Sequence, residues 1–182
     1  MIPRVIETGR LMLRPPELRD ADTIFEIQSD PEWAKYQLEP PYTRKRAEHA
    51  AAYMVLCDWN TQANWAVTLD GEMIGTVNLT FEAAGRIGSL GYGIHKRMWG
   101  QGFAREAITA VLDRAFAAET FSRVRAHTKP LNERSVGLLR RLGFTHEGTL
   151  RANQLQGGTE LVDEAVFGLL RDEWGSDIEA GR

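Results

Sequence analysis

Arg97-Met98-Trp99-Gly100-Gln101-Gly102-Phe103-Ala104 reads R-x-x-G-x-G-x-A. Upstream, Leu90, Tyr92 and Ile94 alternate with Gly91, Gly93 and His95, which is strand spacing. Downstream, Ala104, Ala107, Ile108, Val111, Leu112, Ala115 and Phe116 recur at helical spacing. The stretch is therefore a strand-to-helix turn. Two glycines there let the backbone approach a ligand with no Cβ in between. The helix that follows opens with N–H groups that have no intrahelical partner. Those donors and the positive end of the helix dipole favour a diphosphate. The turn reads as a phosphate cradle, although short glycine patterns also arise by chance and an ordinary loop accounts for the same letters.

Working outward, Arg10 to Arg14 reads as a strand stopped by Pro15-Pro16. Asp20 is placed to cap a helix through Ala21, Ile24, Phe25 and Ile27, which Asp30-Pro31 ends. Thr43 is placed to cap a second helix carrying Ala47, Ala50, Ala51, Met54 and Val55. Trp65, Val67 and Leu69 alternate up to Asp70-Gly71, a strong hairpin signal, and a return strand runs from Met73 to Phe81. Beyond the cradle helix come a strand over Val124 to Thr128 and a helix capped by Asn132 that ends at Gly143-Phe144. Two last strands meet at Gly157-Gly158. The order β-α-α-β-β-β-α-β-α-β-β predicts an α/β fold. The middle strands pair antiparallel, the unit around the cradle is parallel and right-handed, and helices lie on both faces.

The chain has 182 residues, 43% of them hydrophobic, enough for one domain with its own core. Its formal charge of −3 argues against a dedicated nucleic-acid binder, though Arg140-Arg141 is a local basic pair suited to a ligand. The single cysteine, Cys57, permits no intrachain disulfide and fits a reducing, cytoplasmic setting. Its apolar neighbours suggest a place in the core. The start of the chain shows no signal core, and no apolar run reaches the ~20 residues of a membrane span. His49, His95, His127 and His146 show no metal-ligand spacing.

The element order, the cradle and the segment Asn132-Glu133-Arg134-Ser135…Leu142-Gly143-Phe144 together resemble the GNAT superfamily of N-acetyltransferases. The chain looks most like the Rim-type branch that acetylates ribosomal-protein N-termini. The likeness starts at Thr8-Gly9-Arg10-Leu11-Met12-Leu13-Arg14 and runs to Trp174. It implies a single domain over residues 1–182, with a core of about 8–174 and a short C-terminal tail. The sheet would be twisted, mixed and mostly antiparallel. The implied donor is acetyl-CoA or another short acyl-CoA. Backbone amides from Met98 to Ala104 would hold its pyrophosphate. The strand ending at Ile94 and His95 would splay from Val124 to Thr128, and pantetheine would lie in the split. Gly93 suits a bulge there, or simple tight packing. The implied donor-binding set is Gly93, Ile94, His95, Arg97, Met98, Trp99, Gly100, Gln101, Gly102, Phe103, Ala104, Asn132 and Ser135.

Direct transfer from a thioester needs a neutral amine, a donor for the oxyanion and a proton for the departing thiolate. By resemblance, the catalytic set is the Ile94 backbone N–H for the oxyanion, Ser135 as acid and Asn132 as its neighbour bracing the cofactor. Many members carry a tyrosine acid on the second helix, where this chain has Leu139. The Rim-type glutamate base falls on Gln154, which cannot ionise. His95, His127, Glu82 and Glu164 are the alternatives, with the two histidines expected near each other across the split. An α-amine has a pKa of about 8 and a lysine amine about 10.4, so neutralising them at pH 7 costs roughly 1.4 and 4.6 kcal/mol. A site without a strong base suits the first, a peptide N-terminus or an amino-acid-like amine, better than a polyamine. Trp33, Tyr36, Tyr42 and Tyr53 are candidates for the acceptor pocket, although helical core and loop packing is the plainer account of each. A non-catalytic CoA-binding or partner-binding domain and a polyamine or small-amine acetyltransferase are the competing readings. A nucleotide enzyme is disfavoured by the missing G-x-x-x-x-G-K-[ST]. Open strand edges near the C-terminus would permit a homodimer.

Overall fold

The fold is a single open sheet with helices against each face, and its central feature is a parting between two middle strands. The computed structural model describes residues 2–118 and 121–175. The expected tail beyond Gly175 lies outside them. In chain order the elements are β1 (Ile6–Glu7), β2 (Met12–Arg14), α1 (Ala21–Ser29), α2 (Pro31–Ala34), α3 (Arg44–Leu56), β3 (Gln62–Leu69), β4 (Glu72–Glu82) and β5 (Ile87–Ile94). Then follow α4 (Phe103–Ala117), β6 (Arg123–Thr128), α5 (Glu133–Arg141), β7 (Thr145–Gln156) and β8 (Glu160–Leu170). The sheet runs β1-β2-β3-β4-β5-β6-β8-β7. Every neighbouring pair is antiparallel except β5 and β6, which are joined through α4 and run parallel.

Alternation along β3 sorts the two layers, because successive strand side chains point to opposite faces. Ala63, Trp65 and Val67 join the main core with α4, α5 and Phe121. Ala66, between them, packs on the other face with Ile24 of α1 and with Ala47 and Ala51 of α3. The β3–β4 turn is the anticipated one, with Asp70 at φ 51° and Gly71 at φ 84°. Gly143 ends α5 at φ 87°, and Phe144 turns back into the core.

Three local expectations change. Asp20 precedes α1, but its side chain does not cap the helix. It is 3% exposed and receives both outer nitrogens of Arg14 at 2.7 and 2.9 Å and the Glu17 N–H at 2.7 Å. Asp20 therefore clamps β2 to the approach of α1. Asp30, expected only to end α1, caps α2 by accepting from the Glu32 and Trp33 N–H groups. Cys57 is half-buried at the end of α3, not in the core, because the helix stops before it.

Asp20→Ala removes both Arg14–Asp20 hydrogen bonds and leaves the partly buried guanidinium with only Pro15 O at 3.0 Å and Glu17 at 3.6 Å among the described residues. It is expected to lower unfolding free energy by about 3 kcal/mol, measured by urea denaturation. A loss below about 1 kcal/mol would mean that the clamp contributes little.

Candidate active site

The parting follows from the register. Rungs between β5 and β6 run from Ile87↔Arg123 to Leu90↔Ala126 and stop there, while β5 continues to Ile94 and β6 to Thr128. On its other side β5 stays paired with β4 to Gly75↔Ile94, and the His95 N–H donates to Ile74 O at 2.7 Å. In an antiparallel ladder only alternate residues bond to a given neighbour. That phase points the Tyr92 and Ile94 N–H groups away from β4, toward the parting. The splay expected between these strands is present. The expected bulge at Gly93 is not: it sits in register opposite Thr76, and the Trp33 ring lies 3.0 Å from where a Cβ would be. Tight packing explains this glycine.

The parting opens into a cleft of about 710 Å³. One side is built from α5. Asn132 Oδ1 caps that helix by accepting the Ser135 N–H at 3.2 Å, which turns the first-turn side chains toward β5. The Ser135 hydroxyl meets the Tyr92 hydroxyl at 2.6 Å. Burial pushes the Tyr92 phenol up to about 12, against a smaller opposing pull from the Ser135 hydrogen bond. Tyr92 therefore keeps its proton at any working pH. Leu139, which stands where the resemblance implies a tyrosine acid, is fully buried in the main core and has no proton to give.

At the mouth, Gly100 and Gly102 take φ of 75° and 83°. The N–H groups of Met98 and Trp99 are already bonded to His95 O and Lys96 O at 2.8 and 3.1 Å. The anticipated cradle thus narrows to the N–H groups from Gly100 to Ala104, which have no acceptor among the described residues. Arg10 holds this turn from behind, donating to Gln101 O at 3.1 Å and to Glu106 of α4 at 2.7 Å. Trp99 Nε1 donates to Ile94 O at 2.8 Å, fixing the cradle to the end of β5. Arg105, Arg134 and Arg141 line the same cleft. Open amides and three guanidiniums suit the phosphates of a CoA-type donor.

Of the residues anticipated for the donor, Gly93, Ile94, Met98, Trp99, Gly100, Gly102, Phe103, Ala104, Asn132 and Ser135 line the cleft. His95, Arg97 and Gln101 do not. The His95 ring caps the turn by accepting the Arg97 N–H, with Nε2 3.6 Å from Glu26. Burial and the Arg97 charge hold its pKa below the usual histidine range. Gln101 spends its amide on Arg97 O. His95 and His127 are not partners across the split: His127 sits by Glu164, with Nδ1 at 3.3 Å. Glu82 pairs with Arg125. Gln154 donates to Glu164 at 2.8 Å.

Among the four early aromatics, Trp33 and Tyr36 line the cleft, Tyr42 packs beside α1 and α3, and Tyr53 is exposed. Glu32 of α2 holds Lys96 at 2.6 Å and Arg134 at 3.3 Å, and Arg134 lies 4.4 Å over the Trp99 ring. The Lys96 and Arg134 hydrogen bonds draw the Glu32 carboxyl below its usual range. Sequence reading missed the Tyr92 hydroxyl, although its alternation with Leu90 and Ile94 already put it on the face toward α5.

The family model described as acetyltransferase (GNAT) domain matches residues 10–145. An uncharacterized N-acetyltransferase p20 of Bacillus licheniformis is 35% identical over 173 residues, covering 92% of this chain and 96% of that protein. The structure resembles a putative acetyltransferase from T. thermophilus at a TM-score of 0.83 and 26% identity, covering 99% of this chain and 97% of that one. RimL, a ribosomal L7/L12 alpha-N-protein acetyltransferase in complex with coenzyme A, shares the fold at a TM-score of 0.81 and 18% identity. That match covers 93% of this chain and 99% of that one.

Gly102→Val forces a branched residue into a left-handed backbone. The space beside Gly102 is open enough, with Arg10 Nη2 at 3.5 Å, so the penalty comes from φ and not from a clash. The free turn relaxes to relieve about 1–3 kcal/mol of strain and binding must restore the cradle, so coenzyme A affinity is expected to fall about tenfold or more, read by calorimetric titration. Unchanged affinity would remove this corner from phosphate binding.

Proposed function

The chain belongs to the GNAT acetyltransferase family and is an N-acetyltransferase with acetyl-CoA as its donor; we propose that its acceptor is an α-amine, a peptide N-terminus or an amino-acid-like amine. The observation that carries this reading is the lining of the cleft. Among the described residues it contains three arginines and a histidine, and no aspartate or glutamate. A polyamine carries several positive charges and would need carboxylates to offset them. An α-amine carries one, and its lower pKa makes it the cheaper amine to neutralise. Trp33 and Tyr36 give the acceptor an aromatic wall with a polar tip.

Acetyl-CoA supplies the thioester that the amine attacks. The amides from Gly100 to Ala104, with Arg105, Arg134 and Arg141, hold its phosphates. The Ile94 N–H is the donor to the carbonyl oxygen as charge develops there. It points into the parting because the strand phase leaves it no partner in β4. Ser135 delivers the proton to the departing sulfur. Either hydroxyl can donate across the 2.6 Å contact between Tyr92 and Ser135; the reaction uses the sense in which Tyr92 donates, which leaves the serine proton free for the cleft. Asn132 sets the serine in place through the helix cap.

Thiol release with acetyl-CoA across an amine panel tests the acceptor. Peptides with a free N-terminus are expected to give kcat/KM at least about tenfold above spermidine. The reverse order would overturn the α-amine reading. Ser135→Ala is expected to lower kcat by about 10²-fold while leaving coenzyme A affinity within about threefold. Tyr92→Phe is expected to lower kcat less, by about tenfold, since the serine proton stays available. A Ser135→Ala enzyme with wild-type turnover would take the hydroxyl out of the reaction.

A further inference from the structure

The acid and the donor cradle lie on the α5 side of the sheet. The other side of the parting holds a second polar cluster that this chemistry leaves unused. Val124 and Ala126 of β6 point into the main core, so His127, next in alternation, projects toward the opposite face while lining the cleft. On that face, β8 places Val166 opposite His127 and Glu164 two residues further along. The His127 Nδ1 stands 3.3 Å from Glu164 Oε1. Glu164 is 8% exposed. Asn153 Nδ2 donates to its Oε2 and Gln154 Nε2 to its Oε1, each at 2.8 Å.

Two consecutive residues of one strand serve the same carboxylate, which a regular strand forbids. A break in register between Leu150 and Gln154 makes it feasible. Ala152 there has φ 50°, and its N–H is taken by Asp163. The bulge turns both amides onto Glu164. With Asn153 and Gln154 donating, the remaining partner of Glu164 among the described residues is the His127 ring. A proton on Nδ1 would face Glu164 and leave Nε2 as the acceptor nitrogen of the ring.

We propose that His127, oriented by Glu164, accepts the proton of the incoming amine, in place of the ionisable group that Gln154 does not supply. The inference rests on the acetyl-transfer reading of the same cleft. The ammonium loses two protons as its nitrogen forms the C–N bond and the C–S bond breaks. One leaves through His127 Nε2 to water; Ser135 gives its proton to the sulfur, and the second amine proton replaces it on Ser135 Oγ. Base and acid thus act from opposite faces of the sheet. Other charged groups around His127 are already engaged. Arg125, on the same face, pairs with Glu82 of β4. Lys129 donates to Lys35 O, Gln37 O and Gln156 Oε1. Tyr36 lines the cleft beside it, and Arg134 and Arg141 line it from α5.

His127→Gln and Glu164→Gln test the assignment, with thiol release from acetyl-CoA and a free N-terminal peptide followed between about pH 5.5 and 9.5. His127→Gln is expected to lower kcat at pH 7 by about 10²-fold or more and to abolish the acid limb of the pH profile. Glu164 is a positioning residue. Its glutamine variant is expected to lower kcat less than His127→Gln with the peptide KM unchanged, and Glu164→Asp, which restores the carboxylate, to recover part of the loss. Coenzyme A affinity by calorimetry stays within about twofold in both variants, which separates this failure from a damaged cradle. A His127→Gln enzyme with wild-type kcat and an unchanged acid limb overturns the assignment. A wild type that binds coenzyme A but releases no thiol with any amine overturns the acetyl-transfer reading and the assignment with it.

Discussion

The whole site depends on one interruption in hydrogen bonding, the end of the β5–β6 ladder after Leu90↔Ala126. A paired strand edge has no donors to give, and an edge facing solvent gives them to water. Here β5 keeps one edge paired with β4 and bares the other inside the protein. The unpaired N–H groups of Tyr92 and Ile94 are therefore rigidly placed, because the same backbone is fixed from behind. The cost of leaving buried donors open is acceptable only where a ligand will meet them. A cleft with open amides at its mouth and a strand edge at its throat is the arrangement that a long, anionic, amide-rich carrier fills.

Several contacts keep the parting open. Trp99 ties the cradle turn to the end of β5 through Ile94 O. Arg10 ties the same turn to the first strand region and α4. Glu32 reaches from α2 to Lys96 and Arg134. Lys129 binds the segment after α2 to the β7–β8 hairpin, and the Gly157 N–H donates to Leu38 O at 2.7 Å. That side of the cleft is thus walled by a segment with little regular structure of its own, held by ties from distant parts of the chain. Such a wall can change its side chains without disturbing the donor side.

The parts legible in the sequence are those fixed locally. A glycine pair before a helical run, Asp70-Gly71 between alternating strands, and Asn132 three residues before Ser135 each carry their geometry within a few residues. The parts that were not legible depend on partners far along the chain. Asp20 has the composition of a cap, but Arg14 outcompetes the helix for it. Tyr92 meets Ser135 across 43 residues. Nothing near His127 announces Glu164, because their meeting requires β8 to insert between β6 and β7. The amides on Glu164 require a bulge at Ala152, a residue with no sequence signal for a left-handed backbone. Gln154 reads as a lost function in the sequence and as a hydrogen-bond donor to a buried carboxylate in the structure.

Amide hydrogen exchange with and without coenzyme A measures the bared edge directly. The Tyr92 and Ile94 amides, with those from Gly100 to Ala104, are predicted to exchange fast in the free protein and to become strongly protected when the carrier binds. Protection confined to other surfaces, or free Tyr92 and Ile94 amides as slow as their β4-bonded neighbours, would contradict the account.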